Sequence, residues 1–238
     1  MNSRMPVASS MPAGPRRRLL VINPNTTASL TAELSGLIQA AQPDDVEVQS
    51  VTAGFGSPYI ADEVGLAVAA HAALDAWDRA VSRSGPPDAA IIGCFGDPGL
   101  FALREIAPCP VLGLAEGALM EAAAHGDCAV ITGGRAWQPM LERLLPALAH
   151  GAAVRGIHTV ALDGLALRAS PADAERLLLE ACESVLRRWP VHAIVLGGAG
   201  LGGMAPRLQA RVPVPLIDSV TATARQVWRL QGSGTAAM

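Results

Sequence analysis

Ala89-Ala90-Ile91-Ile92-Gly93-Cys94 is a short, uninterrupted apolar run that breaks into a turn rich in glycine and proline, Phe95-Gly96-Asp97-Pro98-Gly99-Leu100. A short helical stretch follows, and then a second apolar run, Pro110-Val111-Leu112-Gly113-Leu114. The plan returns in the second half of the chain. Ala193-Ile194-Val195-Leu196-Gly197-Gly198 runs into Ala199-Gly200-Leu201, a short helix, and Pro213-Val214-Pro215-Leu216-Ile217. Gly93 matches Gly197, so Cys94 matches Gly198. Two half-sites facing each other would suit an enzyme that works on both faces of one carbon. Here only one half-site carries a thiol.

The repeat extends beyond these segments. Leu19-Leu20-Val21-Ile22-Asn23-Pro24 corresponds to Cys128-Ala129-Val130-Ile131-Thr132-Gly133. Short continuous apolar runs predict strands covered on both faces, near 18–23, 46–51, 89–93, 110–114, 128–132, 154–161, 192–197 and 214–217. Helical patterns lie between them, near 27–41, 61–83, 97–106, 116–125, 136–149, 171–188, 201–209 and 219–230. Asp62 and Glu63 suit a helix start, and Ser170-Pro171 reads as an N-cap followed by proline at the first helical position. Alternation of this kind predicts an α/β fold with mostly parallel sheets flanked by helices. Its double occurrence predicts two pseudo-symmetric, Rossmann-like lobes with a site in the cleft between them. The expected division is a disordered tail at 1–16, a first lobe of 17–114 plus 219–230, a second lobe of 115–218, and a tail at 231–238. Ligands in such sheets bind beyond the carboxyl ends of the strands.

Composition removes several kinds of chemistry. All 18 basic residues are arginine, so no lysine is present for a Schiff base, a phosphate loop or a general base. A net charge of −3 without charged blocks, and aromatic residues at 3%, argue against a nucleic-acid or anionic-membrane partner. No apolar run reaches membrane-spanning length, and the four apolar residues after Arg16-Arg17-Arg18 are too few for a signal peptide, so the expected location is the cytoplasm. Cys94, Cys109, Cys128 and Cys182 form no C-x-x-C pair, and the last three read as small core residues. His71, His125, His150, His158 and His192 show no metal spacing, so no metal is expected.

The sharpest motif is the loop after Cys94. Its glycines let backbone approach a ligand, and N–H groups there can hold an oxyanion. The same field is expected to lower the Cys94 thiol toward neutrality, which would let a thiolate remove a proton from carbon. Asn23-Pro24-Asn25-Thr26-Thr27 offers amides that can bind a carboxylate or imide oxygen, or equally form Asx-turns and a cap. Thr132-Gly133-Gly134-Arg135 is the matching loop of the second lobe. Gly198-Ala199-Gly200-Leu201-Gly202-Gly203, with Asp218 beyond it, also fits a dinucleotide fingerprint. Its place at the end of the chain and the short helix with Pro206 argue against that reading.

With these motifs in hand, the chain resembles the aspartate/glutamate/hydantoin racemase superfamily, and most its hydantoin racemase branch. The residues that carry the resemblance are Ile22–Thr27, Gly93–Leu100, Gly113–Glu116 and Leu196–Gly200, within a likeness over about 18–230. It implies two α/β lobes, no cofactor and no metal. It also implies a small hydantoin-like or carboxylate substrate whose α-carbon sits between two cysteines, one taking its proton and the other returning one. Cys94 matches the first cysteine. Gly198 stands where the family reads Gly-Cys-Ala-Gly. Asn25, Thr26, Phe95, Gly96, Thr132, Gly133, Gly134 and Ala199 are the expected substrate contacts. Family members are often oligomeric, and a homo-oligomer is compatible with the apolar helix faces. Arylmalonate decarboxylase, a relative, works with a single cysteine in its second lobe, so this chain would be its mirror image. Maleate isomerase, another relative, uses two. A different second base is a further alternative, for which Asp97, Glu63 and Glu116 are candidates, and so is a non-catalytic protein that binds a small anion.

Overall fold

The computed structural model of the chain describes residues 16–162 and 164–232; the expected tails lie almost wholly outside these. The first sheet comprises β1 (Arg17–Asn23), β2 (Val46–Thr52), β3 (Ala89–Ile92) and β4 (Val111–Gly113). The second comprises β5 (Cys128–Gly133), β6 (Val154–Val160), β7 (Ala193–Gly197) and β8 (Leu216–Asp218). All pairings are parallel, in the orders β2-β1-β3-β4 and β6-β5-β7-β8, so the two lobes share one topology. All four residues of β3 and all five of β7 are buried, which is why both read as unbroken apolar runs. Register brings Leu19 beside Ala89 and Ile91 beside Leu112 in the first sheet, and Val130 beside Val195 in the second.

The helices are α1 (Ala28–Ala40), α2 (Glu63–Ser84), α3 (Leu100–Ile106), α4 (Leu114–Ala122), α5 (Trp137–Leu144), α6 (Gly164–Ala169), α7 (Pro171–Arg188), α8 (Met204–Leu208) and α9 (Ser219–Gln226). Several differ from expectation for local reasons. Asp97 (φ 44°) and Gly99 (φ 78°) are left-handed, so α3 begins at Leu100 rather than 97. The expected helix 136–149 ends at Leu144 and gives way to 3-10 turns, the first containing Pro146, which has no N–H to donate. The stretch 201–209 divides into a 3-10 turn, Ala199–Leu201, and α8 after Gly203 (φ 81°). Helix α6 was not expected. Asp62 caps α2, accepting from the Gly65 amide at 2.7 Å, whereas Ser170 at the α7 N-cap gives its hydroxyl to Asp173 at 2.7 Å.

Alternate residues of β5 face two cores. Cys128 and Val130 join a large core with β1, β3, β4, α4 and α9, while Ala129 and Ile131 join a smaller one with α7 and α8. The large core therefore runs from the first sheet to one face of the second. Helix α9, which follows the last strand of the second sheet, packs against α1. Gln42 donates to the Ala224 carbonyl at 2.7 Å and accepts from the Trp228 indole at 2.6 Å, and the Arg17 guanidinium lies 4.5 Å from the Trp228 ring centre. Cys128 and Cys182 are buried as expected, and Cys109 is partly exposed.

Candidate active site

The carboxyl ends of β1, β3, β5 and β7 converge on one cavity of about 60 Å³, room for a few waters or one small molecule. The first lobe contributes Asn25 and Thr27 after β1, and Gly93, Cys94 and Phe95 after β3. The second contributes Thr132 and Gly133 at the end of β5, and Gly197 to Leu201 after β7. The lining also takes in Pro58, Tyr59 and Ile60 from the β2–α2 loop, with Leu30 and Trp137. These five carried no motif signal, since a loop or helix residue without a turn or ligand pattern does not disclose which cavity it faces.

Of the expected contacts, Asn25, Phe95, Thr132, Gly133 and Ala199 line the cavity with Cys94 and Gly198. Thr26, Gly96 and Gly134 do not. Gly96 packs instead against Leu66 and Trp137, where an added β-carbon would come within 2.7 Å and 2.8 Å of their side chains. Thr26 is tied by its amide to the Ser57 carbonyl at 3.2 Å, and Gly134 by its amide to the Val160 carbonyl at 3.1 Å. Asp97, Glu63 and Glu116 are absent from the lining. Arg143 pairs with Glu63, and Arg104 pairs with Glu116.

Cys94 is only 7% exposed, at the cavity wall. Burial pushes its thiol up to about 12, the Gly96 backbone N–H opposes this, and the Asp97 charge adds to it. This reverses the expected lowering. With Asp97 and Gly99 left-handed, α3 starts only at Leu100, six residues beyond Cys94, and Cys94 itself belongs to the large buried core rather than to a helix N-terminus. Asp97 holds the loop from behind. Its carboxylate accepts from the Ala115 amide at 2.9 Å and the Glu116 amide at 3.0 Å, stitching the Cys94 loop to the first turn of α4. Gly113 is required there, because a β-carbon on it would lie 2.0 Å from the Asp97 carboxyl carbon.

The second half-site is held in a comparable way. The Gly198 amide donates to Ser219 Oγ at 3.3 Å, and the Gly203 amide to Asp218 at 2.6 Å. Asp218 also caps α9 and is buried. It is thus committed to backbone N–H groups, which leaves the dinucleotide reading without its acidic partner. Gly198 has φ 142°, a conformation that side-chain-bearing residues rarely adopt, although a β-carbon would find ordinary space beside Leu201 and Thr132 Oγ1.

Two parallel α/β lobes share one small cavity that holds a thiol, and the relatives of the chain make it an enzyme of the racemase class. The family model for Asp/Glu/Hydantoin racemase matches residues 19–227, and the chain belongs to this family. It is 36% identical to a hydantoin racemase of Rhizobium meliloti over 227 residues, covering 91% of this chain and 89% of the relative. It is 31% identical to a hydantoin racemase of Paenarthrobacter aurescens, covering 87% and 88%. Among solved structures, an allantoin racemase from Klebsiella pneumoniae superposes with a TM-score of 0.85 at 32% identity, covering 93% of this chain and 90% of that one. Among the described residues, no helix is long and apolar enough to cross a membrane, and no group of three or more His, Cys, Asp or Glu could hold a metal ion.

Proposed function

We propose that the chain is a cofactor-independent, racemase-type enzyme that moves a proton at a carbon next to a carbonyl, with Cys94 as acid and base. The observation that carries this reading is the company of the sulfur. It shares the cavity with the polar heads of Asn25 and Thr132 and with backbone at Gly133, Gly198 and Ala199. The Cys94 thiolate takes the α-hydrogen, the electron pair passes to the carbonyl oxygen, and the donors around the cavity hold the resulting enolate. The thiol then returns a proton to carbon.

Among the described residues, the lining contains no Asp, Glu, Arg or His side chain. A doubly charged substrate would lose its hydration there without a cation to meet it, whereas a neutral ring imide would not. Hydantoins, including allantoin, are therefore the favoured substrates. The test is deuterium exchange at the α-carbon of hydantoin enantiomers in D2O, followed by NMR, with Cys94→Ala as control. Absence of exchange over a broad panel removes the reading.

A second reading has its own support, although the uncharged lining that disfavours a dianion weighs against a malonate substrate. Gly198 leaves one thiol, and burial raises that thiol to about 12, which suits a general acid that protonates an enediolate after loss of carbon dioxide. Carbon dioxide release from substituted malonates, abolished in Cys94→Ala, would establish it. If the cavity instead binds a ligand with equal affinity in Cys94→Ala and turns over neither substrate, the chain is a binding protein.

A further inference from the structure

We infer that Asn23, behind the cavity wall, is a positioning residue that makes Asn25 a one-way hydrogen-bond donor to the ligand. A backbone N–H can only donate. The Thr27 backbone N–H lies 2.9 Å from one terminal atom of the Asn25 amide, so that atom is the oxygen. Asn23 Nδ2 donates to the same oxygen, also at 2.9 Å. Both lone pairs of Asn25 Oδ1 are thus engaged, and the Nδ2 group faces the other way. It has no protein partner among the described residues, yet no buried side-chain nitrogen or oxygen is left unsatisfied, and Asn25 lines the cavity. The amino group is therefore open to the cavity.

Asn23 is itself locked. It is fully buried, its Oδ1 accepts from the Asn25 amide at 3.3 Å, and its Nδ2 also reaches Thr31 Oγ1 at 2.9 Å and the Thr27 carbonyl at 3.2 Å. The Thr31 hydroxyl is bonded to that of Thr52 at 2.7 Å, which ties the cluster to β2. Turning the Asn25 amide over would set its NH2 against two donors, Thr27 N–H and Asn23 Nδ2, and break two bonds in a region of low water access. The chain holds the donor in place before any ligand arrives.

The consequence, which rests on the proposed reading, concerns how a ring imide sits. The Asn25 position takes an acceptor, a carbonyl or the enolate oxygen that grows from it, and rejects a ring N–H. Two measurements test this separately. The first needs no ligand. In NMR spectra of the ¹⁵N-labelled protein, the Asn25 side-chain NH2 should show no strong contact with the Thr27 amide proton, and a strong one overturns the lock. The second uses 5-benzylhydantoin, with binding measured in Cys94→Ala and exchange in the otherwise native chain. Asn25→Asp should weaken binding at least about tenfold. Thr31→Val should lower kcat for exchange several-fold with KM little changed, and Thr31→Ser should restore it. If Thr31→Val lowers only thermal stability and leaves kcat and KM intact, the positioning role is wrong. If the hydantoin binds to no form of the protein, the functional reading fails, and the NMR contact alone decides the lock.

Discussion

The Phe95 ring occupies the place where any residue but glycine at 197 would put its side chain: a β-carbon on Gly197 would lie 2.3 Å from Phe95 Cε1. Phe95 follows Cys94 in the first lobe and Gly197 ends β7 in the second, so this contact joins the two half-sites at the cavity. Gly197→Ala is expected to overpack the junction and destabilise the chain by about 1–3 kcal/mol in urea unfolding. Adding Phe95→Leu should recover part of the loss. Purely additive effects in the double variant would show that the ring does not press on this site.

Cys94 should react as a protonated thiol. With its pKa near 12, thiolate is scarce at neutral pH and rises about tenfold per pH unit. The iodoacetamide reaction assigned to Cys94 by mass spectrometry should climb across pH 7–10 without a plateau. The kcat/KM for α-carbon exchange, which reports the free enzyme's ionisation, should climb with it. A rise that levels off above about pH 9 would mean an ordinary, water-exposed thiol.

Gly198 should make exchange and inversion separable. With a thiol on one side only, one enantiomer of a hydantoin should take up solvent deuterium faster than it loses optical rotation. Polarimetry and NMR on the same sample measure both rates. Inversion that keeps pace with exchange would require a second proton carrier, for which Tyr59 is, among the described residues, the other ionisable side chain in the lining. Gly198→Cys should not simply supply it, because φ 142° strains any side chain there.

Asp97 should give the fold a pH slope. Burial chiefly raises its carboxyl to about 7 from 3.8, against the two backbone N–H bonds that lower it. Between those values the unfolded chain holds fewer protons than the folded one, so this group's contribution is full below about pH 4 and fades as pH rises through 7. Asp97→Asn removes the titration. Its stability deficit relative to the native chain, measured by denaturant unfolding, should be greatest near pH 4 and narrow toward pH 7. A deficit that is constant over this range would refute the slope.

The lobes and half of the site were legible because they rest on local chemistry. Buried parallel strands write themselves as unbroken apolar runs, and the turn after Cys94 needs glycine wherever the backbone bends sharply. What escaped was set by distant parts of the chain. Asp97 invites assignment as a base, yet its partners are amides 18 and 19 residues away, and only the fold shows it stitching a loop to α4. Trp137 lies in an expected helix and Tyr59 follows a glycine- and proline-containing loop, but neither pattern discloses that the side chain faces the cavity. The direction of the Cys94 shift depended on how deeply the sulfur is enclosed, and loop composition does not encode burial.

The crossing of α9 onto α1 has a consequence for how the polypeptide matures. Gln42 is synthesised early but waits for Ala224, 182 positions later, and for the Trp228 indole, 186 positions later. Val220, Ala222, Ala224 and Val227 belong to the same core as Leu19 and Ile91. On the ribosome, the first sheet must therefore stay partly uncovered until α9 has been made. Nascent chains of this protein should engage chaperones that shield apolar surface, and a chain stalled before α9 should be digested readily by protease despite having every strand of its first sheet.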